Sequence, residues 1–270
     1  MAPTGRVSLF RQLELALQLA DIADAITYNH YESRDFSVDH KADNTEVTEA
    51  DRECESALRD ILKFENPDHA VLGEEEGLLG PKDAEYRWII DPIDGTSNFV
   101  KGVPIWATLI ALQHVPTGGA PKVVLGVVSA PALQRRWWAA ARRGAYANGR
   151  TIKVSKVDQI SDAHLASPGG AIWAKQSAAK GKAYNALAAE VWRERGLGDF
   201  WQHMLVAEGA FDIAAEPIVS MWDLAALQII VEEAGGTFTD LAGIAQPGGG
   251  SAVSTNGILH AEVLDRLNKK

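Results

Sequence analysis

The stretch Trp88-Ile89-Ile90-Asp91-Pro92-Ile93-Asp94-Gly95-Thr96-Ser97-Asn98-Phe99 constrains the chain more than any other. An apolar run of this kind reads as a buried strand, and it drives into two carboxylates three residues apart. Open α/β sheets often hold ligands at the carboxyl ends of their strands. Two carboxylates there repel unless a cation lies between them, so the pair suits a hard divalent metal with oxygen ligands. Gly95, Thr96 and Ser97 then open a helix whose amides and hydroxyls face a phosphate. Asp-Pro and Asp-Gly are also ordinary turn dipeptides, and a strand ending in a turn fits the same residues. An aspartyl-phosphate mechanism of the haloacid dehalogenase type needs Asp-x-Asp-Gly-Thr, and Pro92 occupies the place of its nucleophile.

Further acids occur at similar exits. Gly73-Glu74-Glu75-Glu76-Gly77 follows the apolar Ala70-Val71-Leu72; alone it suits a solvated loop. Thr48 is placed to cap a helix, with Asp51 at the third helical position and Ala50, Cys54, Ala57, Leu58, Ile61 and Leu62 at helical spacing. Asp51 needs no more than its place in that first turn. Asp223 is an N-cap candidate ahead of Leu224, Leu227, Ile230, Val231 and Ala234. No Lys or Arg lies within these motifs, so the converging acids should be uncompensated without metal.

The combination carries more than its parts. Asp91-Pro-Ile-Asp94-Gly-Thr-Ser-Asn-Phe99, Trp222-Asp223-Leu-Ala-Ala and Glu232-Glu233-Ala-Gly-Gly236 strongly resemble the signatures of the inositol monophosphatase family, in order and at the expected separation. The resemblance runs from about residue 10 to 267. It implies a layered αβαβα sandwich of the inositol monophosphatase/fructose-1,6-bisphosphatase type and a Mg²⁺-dependent phosphatase holding two to three ions. Carried over, Glu74, Asp91 and the carbonyl of Ile93 match the ligands of a first metal. Asp91, Asp94 and Asp223 match those of a second; Glu75 and Asp51 hold waters around a third. Glu74 and Thr96 would orient the attacking water, and the Gly95 and Thr96 amides would bind phosphate oxygens. Asp223 would also lie near the leaving alkoxide.

Within the family, the stretches from Asn98 to Ala107, from Ser129 to Trp138 and from Ala214 to Pro217 look most like the histidinol-phosphatase branch. That implies hydrolysis of L-histidinol phosphate to L-histidinol and phosphate in histidine biosynthesis. An inositol-1-monophosphatase is the enzymatic alternative; a catalytically silent regulatory or scaffolding homologue is the other, although no metal carboxylate is lost. The segment from Arg195 to Phe200 aligns with the family's contacts to the alcohol part of the substrate. Asp199 and Phe200 replace small neutral residues of the inositol enzymes there, and Glu216 matches a substrate-hydroxyl binder. Arg195, Asp199 and Glu216 are therefore assigned to the substrate. Two carboxylates near the leaving group favour a cationic alcohol, with Phe200 or Trp201 stacked on its imidazole; equally, Asp199 suits a surface turn and the aromatics a core.

Length and charge agree with this. With 270 residues and a net charge of −10, the chain has ample core and no basic run for nucleic acid. Cys54 is the single cysteine, so no internal disulfide forms, and its spacing places it in the core. No run of membrane-spanning length occurs and Met1 to Gly5 shows no signal-peptide pattern, which predicts a cytoplasmic enzyme; relatives imply a homodimer. An N-terminal half, residues 1–155, is read as α+β with an antiparallel sheet and most metal ligands. A C-terminal α/β half, residues 156–270, brings Asp223 and the leaving-group contacts. Helices are predicted from Leu9 and Thr48 and around Ala261–Leu267. Strands are predicted at Arg87–Ile90, Trp106–Gln113, Val123–Ser129, Trp137–Ala141, Phe211–Ala215 and Ser251–Thr255, with a hairpin turn at Asn148-Gly149.

Overall fold

The computed structural model describes residues 8–41 and 44–269; Met1 to Gly5, where no signal-peptide pattern was found, lies outside them. In chain order the elements begin with α1 (Leu9–Ser33), β1 (Val38–His40), β2 (Glu46–Thr48), α2 (Glu49–Glu65), β3 (Ala70–Gly73), β4 (Gly77–Leu79) and β5 (Tyr86–Asp94). There follow α3 (Thr96–Lys101), β6 (Ala107–His114), β7 (Lys122–Ala130), β8 (Arg135–Ala140), β9 (Ala145–Ala147) and β10 (Arg150–Ile152). The later part holds β11 (His164–Ser167), α4 (Gly170–Gln176), α5 (Ala178–Glu190), β12 (Arg193–Gly196), α6 (Asp199–Ala207) and β13 (Ile213–Glu216). It closes with α7 (Met221–Glu233), β14 (Thr237–Thr239), β15 (Ala252–Thr255) and α8 (His260–Asn268).

Five layers result. An eight-stranded sheet runs β10-β9-β8-β7-β6-β5-β3-β4, and a five-stranded sheet runs β12-β11-β13-β15-β14. Helices α1 and α2 pack on the outer face of the large sheet through Leu19, Leu58, Leu62, Trp88 and Ile110. Helices α6 and α7 fill the space between the sheets, and α4, α5 and α8 cover the outer face of the small one. The resulting αβαβα order is the layered sandwich expected. The large sheet is mixed rather than purely antiparallel, because β3 pairs with β5 in parallel.

The period of α7 departs from the one-faced stripe predicted for it. Leu224 through Val231 are all buried, as a helix clamped between two sheets must be apolar on every side. Its N-cap is Ser220, with Asp223 at the third position, its Oδ2 accepting the Ser220 amide at 2.7 Å. Asp223 is therefore not the N-cap. Thr48 does cap α2 in a reciprocal box with Asp51, as predicted, an arrangement worth about 1 kcal/mol. Cys54 is fully buried. Among the described residues no helix is long and apolar enough to cross a membrane.

Candidate active site

Strand β5 carries the acidic motif, and its register explains how both acids reach one place. Side chains three apart on a regular strand point to opposite faces. The pairing of β5 with β6 is irregular between Asp91 and Asp94, where Pro92 has no amide to donate, and its carbonyl accepts from Thr108 Oγ1 at 2.8 Å. Asp91 and Asp94 consequently line the same cavity, of about 770 Å³. Gly95, at φ +83°, ends the strand and begins α3; a Cβ there would crowd the Ile105 carbonyl oxygen at 3.1 Å.

Six residues do not hold a helix by themselves. Phe99 of α3 is buried against Tyr31, Phe36 and Trp106, with ring centroids 5.6, 5.1 and 5.0 Å away. Arg34 Nη1 donates to the Phe99 carbonyl at 3.0 Å and the Tyr31 hydroxyl to that of Gly102 at 2.8 Å, satisfying the end of the helix.

Glu74, Asp91 and Asp223 converge, each offering a carboxylate oxygen within 4.8 Å of the other two. They come from the tip beyond β3, from β5 and from the first turn of α7. Asp94 and the Ile93 segment line the same cavity, but Asp94 stands apart from the close triplet, its Oδ2 accepting the Phe200 amide at 2.6 Å. The Thr96 hydroxyl donates to the Ile93 carbonyl at 3.0 Å and Asp91 Oδ1 accepts the Ile93 amide at 3.0 Å. Asp51 is bound through Oδ2 to Thr48, whereas its buried Oδ1 has no hydrogen-bond partner among the described residues.

Electrostatics follow from burial. Desolvation raises Asp91 well above the usual carboxylate range, reinforced by Glu74, Asp94 and Asp223. Burial, then Asp199 and Asp223, does the same to Asp94. Asp51 and Asp223 are each pushed up to about 7, burial being the leading cause. This all-oxygen donor set, with an orphaned carboxylate oxygen, fits a hard divalent cation.

A neutralising charge is present after all. Lys41 Nζ lies 2.7 Å from Glu74 Oε1 and 2.8 Å from Glu75 Oε1. Burial opposes the charge of Lys41, but its hydrogen bonds to the two glutamates carry its pKa upward. The expectation of uncompensated acids is corrected here. Lys41 arrives 33 residues ahead of Glu74, just beyond the β1 strand, and no local motif marks it. Ser97, which donates to Glu46 Oε2 at 2.6 Å, is a second link that sequence reading missed.

The predicted leaving-group residues separate. Asp199 lines the acidic cavity and also an adjoining one of about 220 Å³, walled by Val103, Ile105 and Trp201. It is no surface turn. Burial, with Glu216 next, lifts it to about 6, and its carboxylate accepts from Asn98 Nδ2 at 3.2 Å without any cationic partner among the described residues. Glu216 is 6 % exposed and lines neither cavity. It lies behind Asp199, accepting its amide at 3.1 Å, with Oε2 3.6 Å from His203 Nε2. Arg195 is exposed on the edge strand β12, donates to the Glu194 carbonyl and lines neither cavity. Phe200 is fully buried against Trp137 and cannot stack on a ligand; Trp201 can.

A five-layer α/β sandwich with an acidic cavity fit for a cation defines a class, and the comparisons agree. The profile of the inositol monophosphatase family matches residues 11–269. The histidinol-phosphatase of Mycobacterium tuberculosis is 52 % identical over 261 residues, 95 % of this chain and 97 % of that one. The histidinol-phosphatase of Streptomyces coelicolor is 48 % identical, covering 96 % and 97 %. Among solved structures, the IMPase of Thermotoga maritima superposes with a TM-score of 0.82 at 31 % identity, covering 96 % and 97 %. The chain belongs to the inositol monophosphatase family. It is a phosphoric monoester hydrolase that depends on a divalent cation.

Proposed function

We propose that the protein hydrolyses L-histidinol phosphate to L-histidinol and phosphate, with Mg²⁺ as its cation. The observation that carries the substrate is Asp199, a half-buried carboxylate without a cationic partner among the described residues, at the junction of the two cavities. A partly desolvated charge in that state is costly until a cation meets it, and the ammonium of histidinol is such a cation. Trp201, on the wall of the smaller cavity, is the aromatic residue placed to meet the imidazole. Both bacterial relatives described above are histidinol-phosphatases by name, which supports the same substrate.

In this reading Glu74, Asp91 and the Ile93 carbonyl would hold one Mg²⁺, Asp91, Asp94 and Asp223 would serve a second, and Asp51 and Glu75 would hold the water shell of a third. A cation held there would lower the pKa of a water bound to it and offset the phosphate charge. Glu74 and the Thr96 hydroxyl would orient the attacking water. Thr96 can do so because its proton is committed to the Ile93 carbonyl, leaving its oxygen lone pairs to accept. The Gly95 and Thr96 amides bind phosphate oxygens, and Asp223 adjoins the departing alcohol. Glu216 acts by fixing the Asp199 backbone rather than by touching substrate.

The setting that goes with this chemistry is L-histidine biosynthesis in the cytoplasm, by a homodimer. Phosphate release measured with histidinol phosphate, inositol-1-phosphate, fructose-1,6-bisphosphate and a 3′-phosphonucleotide tests the substrate. Histidinol phosphate should lead in kcat/KM by at least about tenfold, roughly 1.4 kcal/mol in barrier. A lead for inositol-1-phosphate would overturn the assignment.

A further inference from the structure

The tip between β3 and β4 presents Glu74 and Glu75, yet three residues of loop have little of their own to hold them. The support comes from helix α2. Glu55, one turn after Asp51 on that helix, is fully buried. Its Oε2 accepts the Glu75 amide at 2.8 Å and its Oε1 the Glu76 amide at 2.9 Å. Arg59, 3 % exposed, pairs with the same carboxylate at 2.7 Å and donates to the Gly77 carbonyl beyond the tip. On the near side, a Cβ at Gly73 would overlap the Glu55 carboxylate, so that strand end is shaped around it as well.

We propose that Glu55, held by Arg59, is a positioning residue that fixes the Glu74–Glu75 tip for cation binding and ties it to the helix bearing Asp51. Stability alone is a weak reason for such a pair, because apolar residues of similar volume commonly serve a core as well or better. The two amides it accepts are those immediately following Glu74, so its loss frees the backbone that aims both carboxylates. Groups that orient metal ligands typically matter by 10- to 100-fold in metal affinity. This inference rests on the cation-binding part of the reading above and not on its substrate.

The test is Mg²⁺ binding to substrate-free protein, read by calorimetry and by melting temperature. Glu55→Gln keeps the volume but replaces one acceptor oxygen with an amide that cannot accept. It should raise the Mg²⁺ midpoint at least about tenfold, with kcat at saturating Mg²⁺ largely recovered. Leu62→Ala, a buried change in the same helix, should lower the melting temperature and leave the midpoint alone. If Glu55→Gln fails to fold, Glu55→Gln combined with Arg59→Met removes both charges and is read in the same way. A midpoint within about twofold of wild type in the folded variant overturns the positioning role. Wild-type protein with no Mg²⁺ response would instead reject the cation reading, with the positioning role falling alongside it.

Discussion

The carboxylate of Asp94 accepts the backbone N–H of Phe200 at 2.6 Å, across 106 residues of sequence. One partner ends β5 of the large sheet and the other lies in the first turn of α6, which packs against the small one. A carboxylate at a helix start satisfies an orphan amide and the helix dipole together. It also commits one oxygen of Asp94 to the fold; in the proposed reading the other is left for a cation. On that reading, filling the cavity and joining β5 to α6 are coupled through a single side chain.

Metal should accordingly stabilise the fold as well as activate it. Mg²⁺ at about 100 times its dissociation constant should add about 2.7 kcal/mol to folded-state stability. For a chain of this size that is roughly 5–10 °C in Tm. Differential scanning calorimetry with and without EDTA checks it, alongside phosphate release. Full activity in excess EDTA would contradict the mechanism.

Substitutions at two carboxylates separate chemistry from folding. Asp94→Asn retains an oxygen for the Phe200 amide but loses the charge, so turnover should fall at least about 100-fold, roughly 2.7 kcal/mol in barrier, with little change in the Tm of the metal-free protein. Glu74→Gln should do the same, and it leaves Lys41 paired with Glu75 alone. Retention of more than about a tenth of the wild-type rate, a loss below ~1.4 kcal/mol in barrier, would remove that residue from its role. Circular dichroism confirms that each variant is folded.

The acids themselves were legible because each ends or begins an element whose own pattern is strong: β5 by its apolar run, α2 by the Thr48–Asp51 box, α7 by its apolar length. At α7 two residues three apart both suit a cap, and local pattern did not rank Ser220 over Asp223. Lys41 and Glu55 were not legible as parts of the site. Their partners are 33 and 20 residues away, and a lysine after a short strand or a glutamate within an amphipathic helix is unremarkable on its own. The split of Asp199 from Glu216 and Arg195 was hidden for the same reason. Sequence alignment with a family segment places residues near a cavity, but only packing decides which side chains line it.

The raised carboxylates give metal-free protein a defined pH response. In the folded state Asp51 and Asp223 titrate near about 7, with Asp91 and Asp94 also raised, all led by burial. In the unfolded chain such groups titrate near about 4. The native state then holds more protons between these limits, so stability from these groups is complete below about 4 and declines as pH rises toward 7. Mg²⁺ displaces the same protons, so its effect runs the other way. The Tm gain from saturating Mg²⁺ should be larger at about pH 8 than at about pH 5.5, on either side of those raised values. Equal gains at both values would show that proton release does not accompany cation binding.

Asp199 gives the sharpest test of the substrate. Asp199→Asn keeps the volume and an acceptor for Asn98 Nδ2, so the loop should hold its shape. What it loses is the charge that the proposed reading sets against the leaving group. A charge-assisted hydrogen bond contributes roughly 1.5–3 kcal/mol, so kcat/KM for histidinol phosphate should fall about one to two decades. A neutral ester such as glycerol 2-phosphate should be nearly unaffected. Because Asp199 titrates near about 6, raised by burial and Glu216, its preference for the cationic substrate should weaken as pH falls through that value and vanish in the variant. Glu216→Gln should reproduce the direction of the effect more weakly, through the Asp199 amide that it accepts. Equal losses for charged and neutral esters in Asp199→Asn would reject charge recognition and leave inositol phosphate as the better candidate.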